Sequence, residues 1–203
     1  MSNQTGNSPE DKHLVKLVLD GNTNAFHAII KNTEGLVAQI VSRMVTNVED
    51  RRDIVQDIYM KAFHRLDSFK FQSKLSTWIG RIAYNACFNW LEKKKLIFPG
   101  EAFNEFDMNE TSGELFNKPA LTLEARADEP VLQKELSGIL KTETEKLPPV
   151  YQTLIILYHQ EELSYVDIVQ ITGLPEGTVK NYLFRARKML KENLLSKYKK
   201  EAL

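Results

Sequence analysis

Apolar side chains recur every three to four residues along most of this chain, and this spacing restricts the chain to helical folds. Strand-type alternation of apolar and polar residues is nearly absent. From Val55 the apolar residues lie at i, i+3, i+4, i+7, i+8 and i+11, which is one face of an α-helix. These residues are Val55, Ile58, Tyr59, Ala62, Phe63 and Leu66. The pattern predicts an all-α protein.

The same spacing predicts further helices in the first half of the chain. Residues 14–19 and 24–45 form two periodic stretches, separated by the turn sequence Asp20-Gly21-Asn22. A later helix is expected to begin near Ser76, a favourable N-cap residue. Its inward positions are Ile79, Ile82, Ala83, Ala86, Trp90 and Leu91. We therefore predict a small helical domain over residues 1–95.

Length and cysteine content limit the remaining possibilities. A chain of 203 residues is long enough for two domains of about 100 residues each. Its one cysteine, Cys87, excludes an intrachain disulfide or a multi-cysteine metal site and suits a reducing compartment. No apolar run is long enough to span a bilayer, and the polar N-terminus does not have the pattern of a signal peptide. We expect a soluble intracellular protein without membrane insertion.

Charge is distributed unevenly along the chain although the formal net charge is zero. Residues 1–95 carry 14 Lys and Arg against 10 Asp and Glu, residues 96–145 carry 4 against 11, and residues 146–203 carry 9 against 6. Helical periodicity fails over residues 96–128, which we interpret as an acidic linker whose scattered aromatic residues favour partial docking. Two basic blocks around an acidic one are a common pattern in nucleic-acid-binding proteins, although solvated charged faces produce it as well.

The last segment, residues 129–203, contains the sharpest local signal. Ser164-x-x-Asp167 resembles a capping box and predicts a short helix with Tyr165, Ile168 and Val169 inward. Gly173 suits the C-cap of that helix, and the next helix places Val179, Leu183, Ala186 and Leu190 on one apolar face. The pattern predicts a helix-turn-helix with a basic second helix. The alternative is an ordinary helical hairpin with a solvated Lys and Arg face.

Two separate segments resemble one protein family. LSYVDIVQITGLPEGTVKNYLFRARKMLKENL is similar to the C-terminal DNA-binding region of bacterial sigma factors. DIVQDIYMKAFHRLDSFKFQSKLSTWIGRIAYNACFNWLEKKK is similar to their N-terminal promoter-melting region. With no third globular block between them, the chain resembles the small extracytoplasmic-function (ECF) sigma factors. The resemblance implies two helical domains, a bacterial cytoplasmic location, no cofactor, and promoter DNA and core RNA polymerase as partners.

The resemblance also implies where polymerase binds. In this family the polar face of the helix containing Asp53 docks on the clamp of the β′ subunit, and the flap of the β subunit is a further contact of core polymerase. Here the residues off the apolar stripe are Asp53, Gln56, Asp57, Met60 and Lys61. The alternative is a solvated amphipathic helix. The sequence leaves open whether an anti-sigma factor also binds.

A second surface combines aromatic, cationic and amide side chains. Aromatic rings stack on unpaired bases and cations follow phosphates, so this combination suits single-stranded DNA. The resemblance implies that the loop before the Ser76 helix forms a pocket for a base flipped from the -10 element, with Asn85 lining it. For Trp78, core packing is the alternative. The candidate residues are Phe69, Lys70, Phe71, Gln72, Ser73, Lys74, Trp78, Arg81, Asn85, Phe88 and Asn89.

A third surface lies on the second helix of the helix-turn-helix. The resemblance implies that Lys180, Asn181, Phe184 and Arg185 enter the major groove of the -35 element. Small residues and free amides at a helix N-terminus accept an anion, so Gly177, Thr178 and Arg187 suit phosphate, with Lys188 nearby. Pro175-Glu176 stands where many relatives have a Ser or Asp cap, which leaves the register of the contacts open.

Two other classes of protein, an enzyme and a polymerase-independent regulator, fit the sequence less well. The sequence has no phosphate-binding loop, no dinucleotide fingerprint and no zinc-protease motif, and its four histidines have no metal-ligand spacing, so we expect neither catalysis nor a metal. A helix-turn-helix regulator that acts without polymerase is the stronger alternative. Such a regulator reads duplex DNA, so it does not require the aromatic and basic surface for single-stranded DNA that we predict in the N-terminal half.

Overall fold

A computed structural model describes residues 8–94 and 130–201 of the chain, with side chains over 8–94 and 137–196. Within these ranges the regular structure is entirely helical, which confirms the all-α prediction. The N-terminal unit contains α1 (Pro9–Leu19), α2 (Asn24–Met44), α3 (Val48–His64), a 3-10 turn (Leu66–Ser68) and α4 (Leu75–Lys93). The C-terminal unit contains α5 (Pro130–Glu145), α6 (Pro149–His159), α7 (Tyr165–Thr172) and α8 (Glu176–Glu201). The predicted linker, residues 96–128, lies outside the described residues.

Polar caps set the helix starts that apolar periodicity missed. Helix α1 begins five residues before the first apolar position of its stretch, where the Ser8 hydroxyl accepts the backbone N–H of Asp11. Helix α3 begins at Val48 because the Asn47 side chain accepts the N–H groups of Glu49 and Asp50. The first turn of a helix has little contact with the core, so its start is encoded by the cap rather than by apolar spacing.

Helix α2 lies at the centre of the N-terminal unit. Its Ile29 and Ile40 are fully buried, as are Ile58 of α3 and Ile79 of α4. The prediction that Phe63 points into the core was wrong, since its side chain is 38% exposed. Phe63 lies at the border of the α3 stripe and packs edge-on against Phe26, with ring centroids 5.1 Å apart.

The predicted helix-turn-helix is present in the C-terminal unit. The Ser164 hydroxyl accepts the N–H of Asp167 at 3.1 Å and caps α7. Gly173 ends this helix with a φ of 73°, a left-handed conformation that favours glycine. Val179, Leu183 and Ala186 of α8 are fully buried, as the periodicity predicted. Leu190, the fourth position of that face, is only partly buried.

The two units pack against each other through two helix pairs. Helix α7 lies against α4, and α6 lies against α2. At the first pair Gly80 permits a close approach, because a Cβ atom there would come within 3.2 Å of the Ile171 side chain. Beside the second pair, Arg43 Nη1 lies 3.5 Å from Glu145 Oε1. The helix-turn-helix is thus seated on the helix predicted to melt promoter DNA.

Candidate nucleic-acid interface

The loop between α3 and α4 and the first turns of α4 enclose a cavity of about 270 Å³. Its walls combine aromatic, cationic and hydroxyl or amide side chains. They are Ser68, Phe69, Lys70, Gln72, Ser73, Thr77, Trp78, Arg81 and Gln170. Most of the loop residues and first α4 residues that the sequence assigned to one site therefore line one cavity, whereas Phe71 and Lys74 are not among its lining residues.

Two aromatic side chains, Phe69 and Trp78, line this cavity, and a third, Phe71, packs beside Phe69 but is not among the lining residues. Phe69 is buried, and its ring centroid lies 4.8 Å from that of Phe71 and 5.3 Å from that of Trp78. Phe71 has a φ of 57° and a side chain that is 38% exposed. Trp78 is partly buried: its ring packs against Phe69, and its side chain also lines the cavity. Phe69 therefore contacts both of the other rings. Contact of Trp78 with single-stranded DNA remains a prediction.

The remaining candidates on α4 lie outside this cavity. Asn85 is exposed, but it lies one helical turn beyond Arg81 and is not among the residues that line the cavity. This differs from the expectation that Asn85 forms part of the pocket wall. Phe88 is partly buried and stacks on Tyr84 at 6.2 Å, and Asn89 is exposed. These three residues extend the surface along α4 rather than closing the pocket.

Contacts from α7 complete the cavity, and the sequence did not reveal them. Thr77 Oγ1 donates a hydrogen bond to Asp167 Oδ1 at 3.3 Å, and Lys74 Nζ lies 3.6 Å from Asp167 Oδ2. Gln170 lines the cavity from the same helix. Thr77 and Asp167 are 90 residues apart, so no local spacing pattern could have indicated their contact.

The polar face of α3 is open to solvent as predicted. All five residues assigned to polymerase binding are exposed there. Met60 is an apolar member of this face, and its side chain is 51% exposed. An exposed thioether among charged groups is compatible with a protein contact, because methionine adapts its shape to a partner. Polymerase binding by this face remains a prediction.

Helix α8 presents its cations next to aromatic rings of α6 and α7. Lys180 Nζ lies 2.6 Å from Glu176 Oε1 and 5.4 Å from the centroid of the Tyr165 ring. The Glu176 carboxylate accordingly raises the pKa of Lys180. Gly177 and Lys188 are exposed, while Thr178 and Asn181 are partly exposed. Glu176 therefore partly neutralises the charge of Lys180, which the resemblance assigns to the major groove.

Arg187 is held by two neighbouring side chains of α6. Its Cζ lies 5.1 Å from the centroid of the Tyr158 ring, and its Nε donates to His159 Nε2 at 3.3 Å. Partial burial and the Arg187 charge lower the pKa of His159, which keeps the imidazole neutral and able to accept this hydrogen bond. Tyr158 and His159 were not recognised from the sequence, although they directly precede the helix-turn-helix.

The described part of the chain shows no metal cluster and no reactive thiol. No group of His, Cys, Asp and Glu side chains there is arranged to hold a metal ion. Cys87 is buried, and burial raises the pKa of its thiol to about 12, so the thiol stays protonated. No helix among the described residues is both long and apolar enough to cross a bilayer.

Comparison with known families matches both units. Residues 29–97 match the family described as Sigma-70 region 2, and residues 137–190 match Sigma-70, region 4. The chain is 31% identical over 183 residues to the ECF RNA polymerase sigma factor SigW of Bacillus subtilis (strain 168), covering 90% of this chain and 96% of SigW. It is 33% identical over 181 residues to the ECF RNA polymerase sigma-E factor of Escherichia coli (strain K12), covering 89% and 92% of the two chains.

Solved structures agree with this assignment. CnrH in complex with the cytosolic domain of CnrY has a TM-score of 0.60 with this chain, at 20% identity, covering 93% of this chain and 99% of CnrH. The sigma factor RpoE in complex with the anti-sigma factor NepR from Bartonella quintana has a TM-score of 0.55 at 26% identity, covering 83% and 94%. The chain therefore belongs to the extracytoplasmic-function sigma factors, which bind core RNA polymerase and direct it to promoters.

Proposed function

We propose that three surfaces divide the work of initiation in this sigma factor. The exposed face of α3 binds the β′ clamp of core RNA polymerase. The cavity between the α3–α4 loop and α4 holds a base unstacked from the -10 element. Helix α8 enters the major groove of the -35 element. Residues 1–95 and 129–203 are the two domains, joined by residues 96–128.

The cavity at α4 is the observation that carries this proposal. The Trp78 ring lines the cavity and offers a surface for stacking, and Lys70 and Arg81 place two cations in the same wall. The exposed Phe71 ring lies next to the cavity, 4.8 Å from the ring of Phe69. Its volume of about 270 Å³ lies just below the range of about 300–1,000 Å³ that is typical of ligand pockets, which suits an occupant as small as a single base. Extruding a base from the duplex costs a few kcal/mol. A site that can bind only the extruded base offsets part of this cost, so it favours promoter melting.

An anti-sigma factor is also proposed as a partner. The similar sigma factor RpoE was solved bound to the anti-sigma factor NepR, and the likeness covers 83% of this chain. Co-purification of this sigma factor from its own cells would test this part. Recovery of polymerase subunits alone would contradict it.

Reconstitution with core polymerase tests the proposed function. The purified chain is added to core enzyme, and the transcripts made from genomic DNA are sequenced. We expect a small set of start sites that share one upstream sequence pair, and weak promoter binding by the free chain, because each domain alone offers a small charged surface. Tight, sequence-specific binding of duplex DNA without polymerase would instead support a helix-turn-helix regulator.

A further inference from the structure

We propose that a second cavity, between the two units, binds a phosphate-bearing small molecule of nucleotide size. The cavity has a volume of about 640 Å³, within the range of about 300–1,000 Å³ that is typical of ligand sites. Its walls come from the ends of α2, α4 and α5 and from the first turns of α3 and α6. Its lining residues are not among those assigned to polymerase or DNA, so this inference does not depend on the proposed function. The side chains that carry the argument are Arg43, Met44, Arg51, Trp90, Lys141 and Glu145.

Cations outnumber carboxylates in the walls of this cavity. Arg43, Arg51 and Lys141 line it together with one acidic residue, Glu145. Three cations against one carboxylate leave two positive charges, and a phosphate monoester carries a charge of about −1.5 to −2 at neutral pH. Guanidinium groups also bind pairs of phosphate oxygens with favourable geometry. The charge of the walls therefore favours a phosphate over a neutral or singly charged ligand.

Arg43 retains donor capacity that its contacts within the chain do not use. Its side chain is only 16% exposed, and its buried Nε has no hydrogen-bond partner among the described residues. Its Nη1 lies 3.5 Å from Glu145 Oε1, at the outer limit of a hydrogen bond, and the Glu145 side chain is half exposed. A buried donor without a partner is unfavourable, so an anion that contacts this guanidinium gains affinity. Because Glu145 is held weakly, a phosphate can displace it.

Arg51 is fixed in the wall by the end of α2. Its Nε donates to the backbone carbonyl of Val45 at 2.6 Å, and its Nη2 donates to that of Ser42 at 3.2 Å. These two hydrogen bonds hold the guanidinium plane without removing its charge. The second cation of the site is thus positioned before a ligand binds, which lowers the entropy cost of binding.

An aromatic and apolar part of the wall suits the organic portion of the ligand. Trp90 is partly buried, and Met44 and Leu91 are buried. Lys94 Nζ lies 4.6 Å from the centroid of the Trp90 ring and 2.8 Å from Asp50 Oδ2, so the ring has a neighbour that is itself held in place. Any planar base can stack on such a ring. Inorganic phosphate would fill only a small part of the cavity, so a phosphate joined to a base fits it better.

Titration calorimetry on the full-length chain tests the site. The probes are adenosine 5′-monophosphate and guanosine 5′-monophosphate, because each joins one phosphate to one planar base. Adenosine and inorganic phosphate each supply only one half of such a ligand. Arg43→Gln and Lys141→Gln each remove one cation from the wall, and Arg52→Gln is their matched control, at an exposed cation that does not line the cavity. Glu145→Gln removes the carboxylate, with the exposed Glu162→Gln as its control.

We expect one nucleotide to bind per chain, and adenosine and inorganic phosphate each to bind at least about tenfold more weakly. Arg43→Gln should weaken nucleotide binding about tenfold or more, the effect of losing a charge-assisted hydrogen bond. Lys141→Gln should weaken it about threefold, because an exposed ion pair contributes less. Glu145→Gln should tighten it about threefold, since the nucleotide no longer competes with a carboxylate for Arg43. Both control variants should bind like the wild-type chain.

Three results would overturn the inference. The first is absence of nucleotide binding at millimolar concentration. The second is an equal loss in Lys141→Gln and Arg52→Gln, which would show only a general attraction of anions to a cationic surface. Lys141 is exposed, so this comparison remains valid even if Arg43→Gln fails to fold. The third is a thymidine decamer that binds with the same dependence on Lys141 as the nucleotide, which would make the walls a nucleic-acid surface instead.

Discussion

The two surfaces proposed for DNA differ in where their cations are held. On α8, Lys180 pairs with Glu176 of the same helix, and Arg187 rests on Tyr158 and His159 of the same unit. On α4, Lys74 pairs with Asp167, which belongs to the other unit. The α8 surface is therefore organised by its own unit, whereas the α4 surface is completed by side chains of the other unit.

The number of residues between the two partners determines whether each contact would persist if the two units separated. The α8 contacts join residues 4 and 28 positions apart, while Thr77 and Asp167 are 90 positions apart. A short-range contact inside a folded unit persists when the units part, because its residues stay fixed by the same core. The long-range contact is lost as soon as the two units separate.

The largest expected effect is on the contact between units. Ile171→Ala removes a fully buried side chain next to Gly80 and should lower the free energy of unfolding by about 2–5 kcal/mol. Urea denaturation followed by circular dichroism measures this loss. A loss below about 1 kcal/mol would mean that the two units are already apart in solution. The difference between α8, held within one unit, and α4, contacted by the other unit, would then not exist.

The next effect distinguishes two arginines of α8. Arg185→Ala should cost roughly 1–3 kcal/mol on the preferred -35 sequence and relax its sequence preference, since this residue is assigned to base contacts. Arg187→Ala should weaken binding about equally on all sequences, because its guanidinium lies towards α6. Competition binding of the polymerase complex to promoter variants measures both. Identical effects on every variant would refute this division of the helix.

A third prediction concerns α4 beyond its cavity. Asn85→Ala should slow promoter opening about fivefold, the effect of one hydrogen bond of about 1 kcal/mol, and leave -35 binding unchanged. Permanganate footprinting measures opening. A template already mismatched at the -10 element should partly restore the rate, because pre-melting removes the need to extrude the base. A defect that the mismatched template does not relieve would show that Asn85 is structural.

The smallest effect is a pH dependence at α6. Because the pKa of His159 is lowered in the folded chain, the unfolded chain takes up the proton first as the pH falls below about 6.5. The free energy of unfolding should decline between that pH and the lowered pKa of His159, and stay level below it. The total decline should be less than about 1 kcal/mol, since the side chain is exposed. His159→Gln should remove this decline. Equal pH profiles for both proteins would contradict a lowered pKa of His159 in the folded chain.

Local sequence signals predicted the helix-turn-helix because each depends on neighbouring residues. The cap at Ser164, the left-handed Gly173 and the buried face from Val179 to Ala186 are all encoded within a few turns. The loop and α4 residues around Trp78 were likewise assigned to one site. The sequence alone shows that these residues follow an apolar stripe and that they combine aromatic and basic side chains.

The contacts between the units were not predictable in the same way. Asp167 was interpreted only as part of a capping box with Ser164. Its N–H does donate to the Ser164 hydroxyl, but its side-chain contact with Thr77 depends on how two distant helices pack. The role of Gly80 could not be predicted from local sequence, because it depends on the close approach of the Ile171 side chain from another helix. The partly exposed position of Phe63 also depends on a partner, Phe26 of α2.

The distance in sequence between Thr77 and Asp167 also sets an order in time during synthesis. Ribosomes add about 5–20 residues per second, so the 90 residues between the two positions take roughly 5–18 s to produce. During that interval α4 has no α7 to cover it. Each newly made chain therefore passes through a period in which its candidate -10 surface is uncovered, before the helix-turn-helix exists to occupy it.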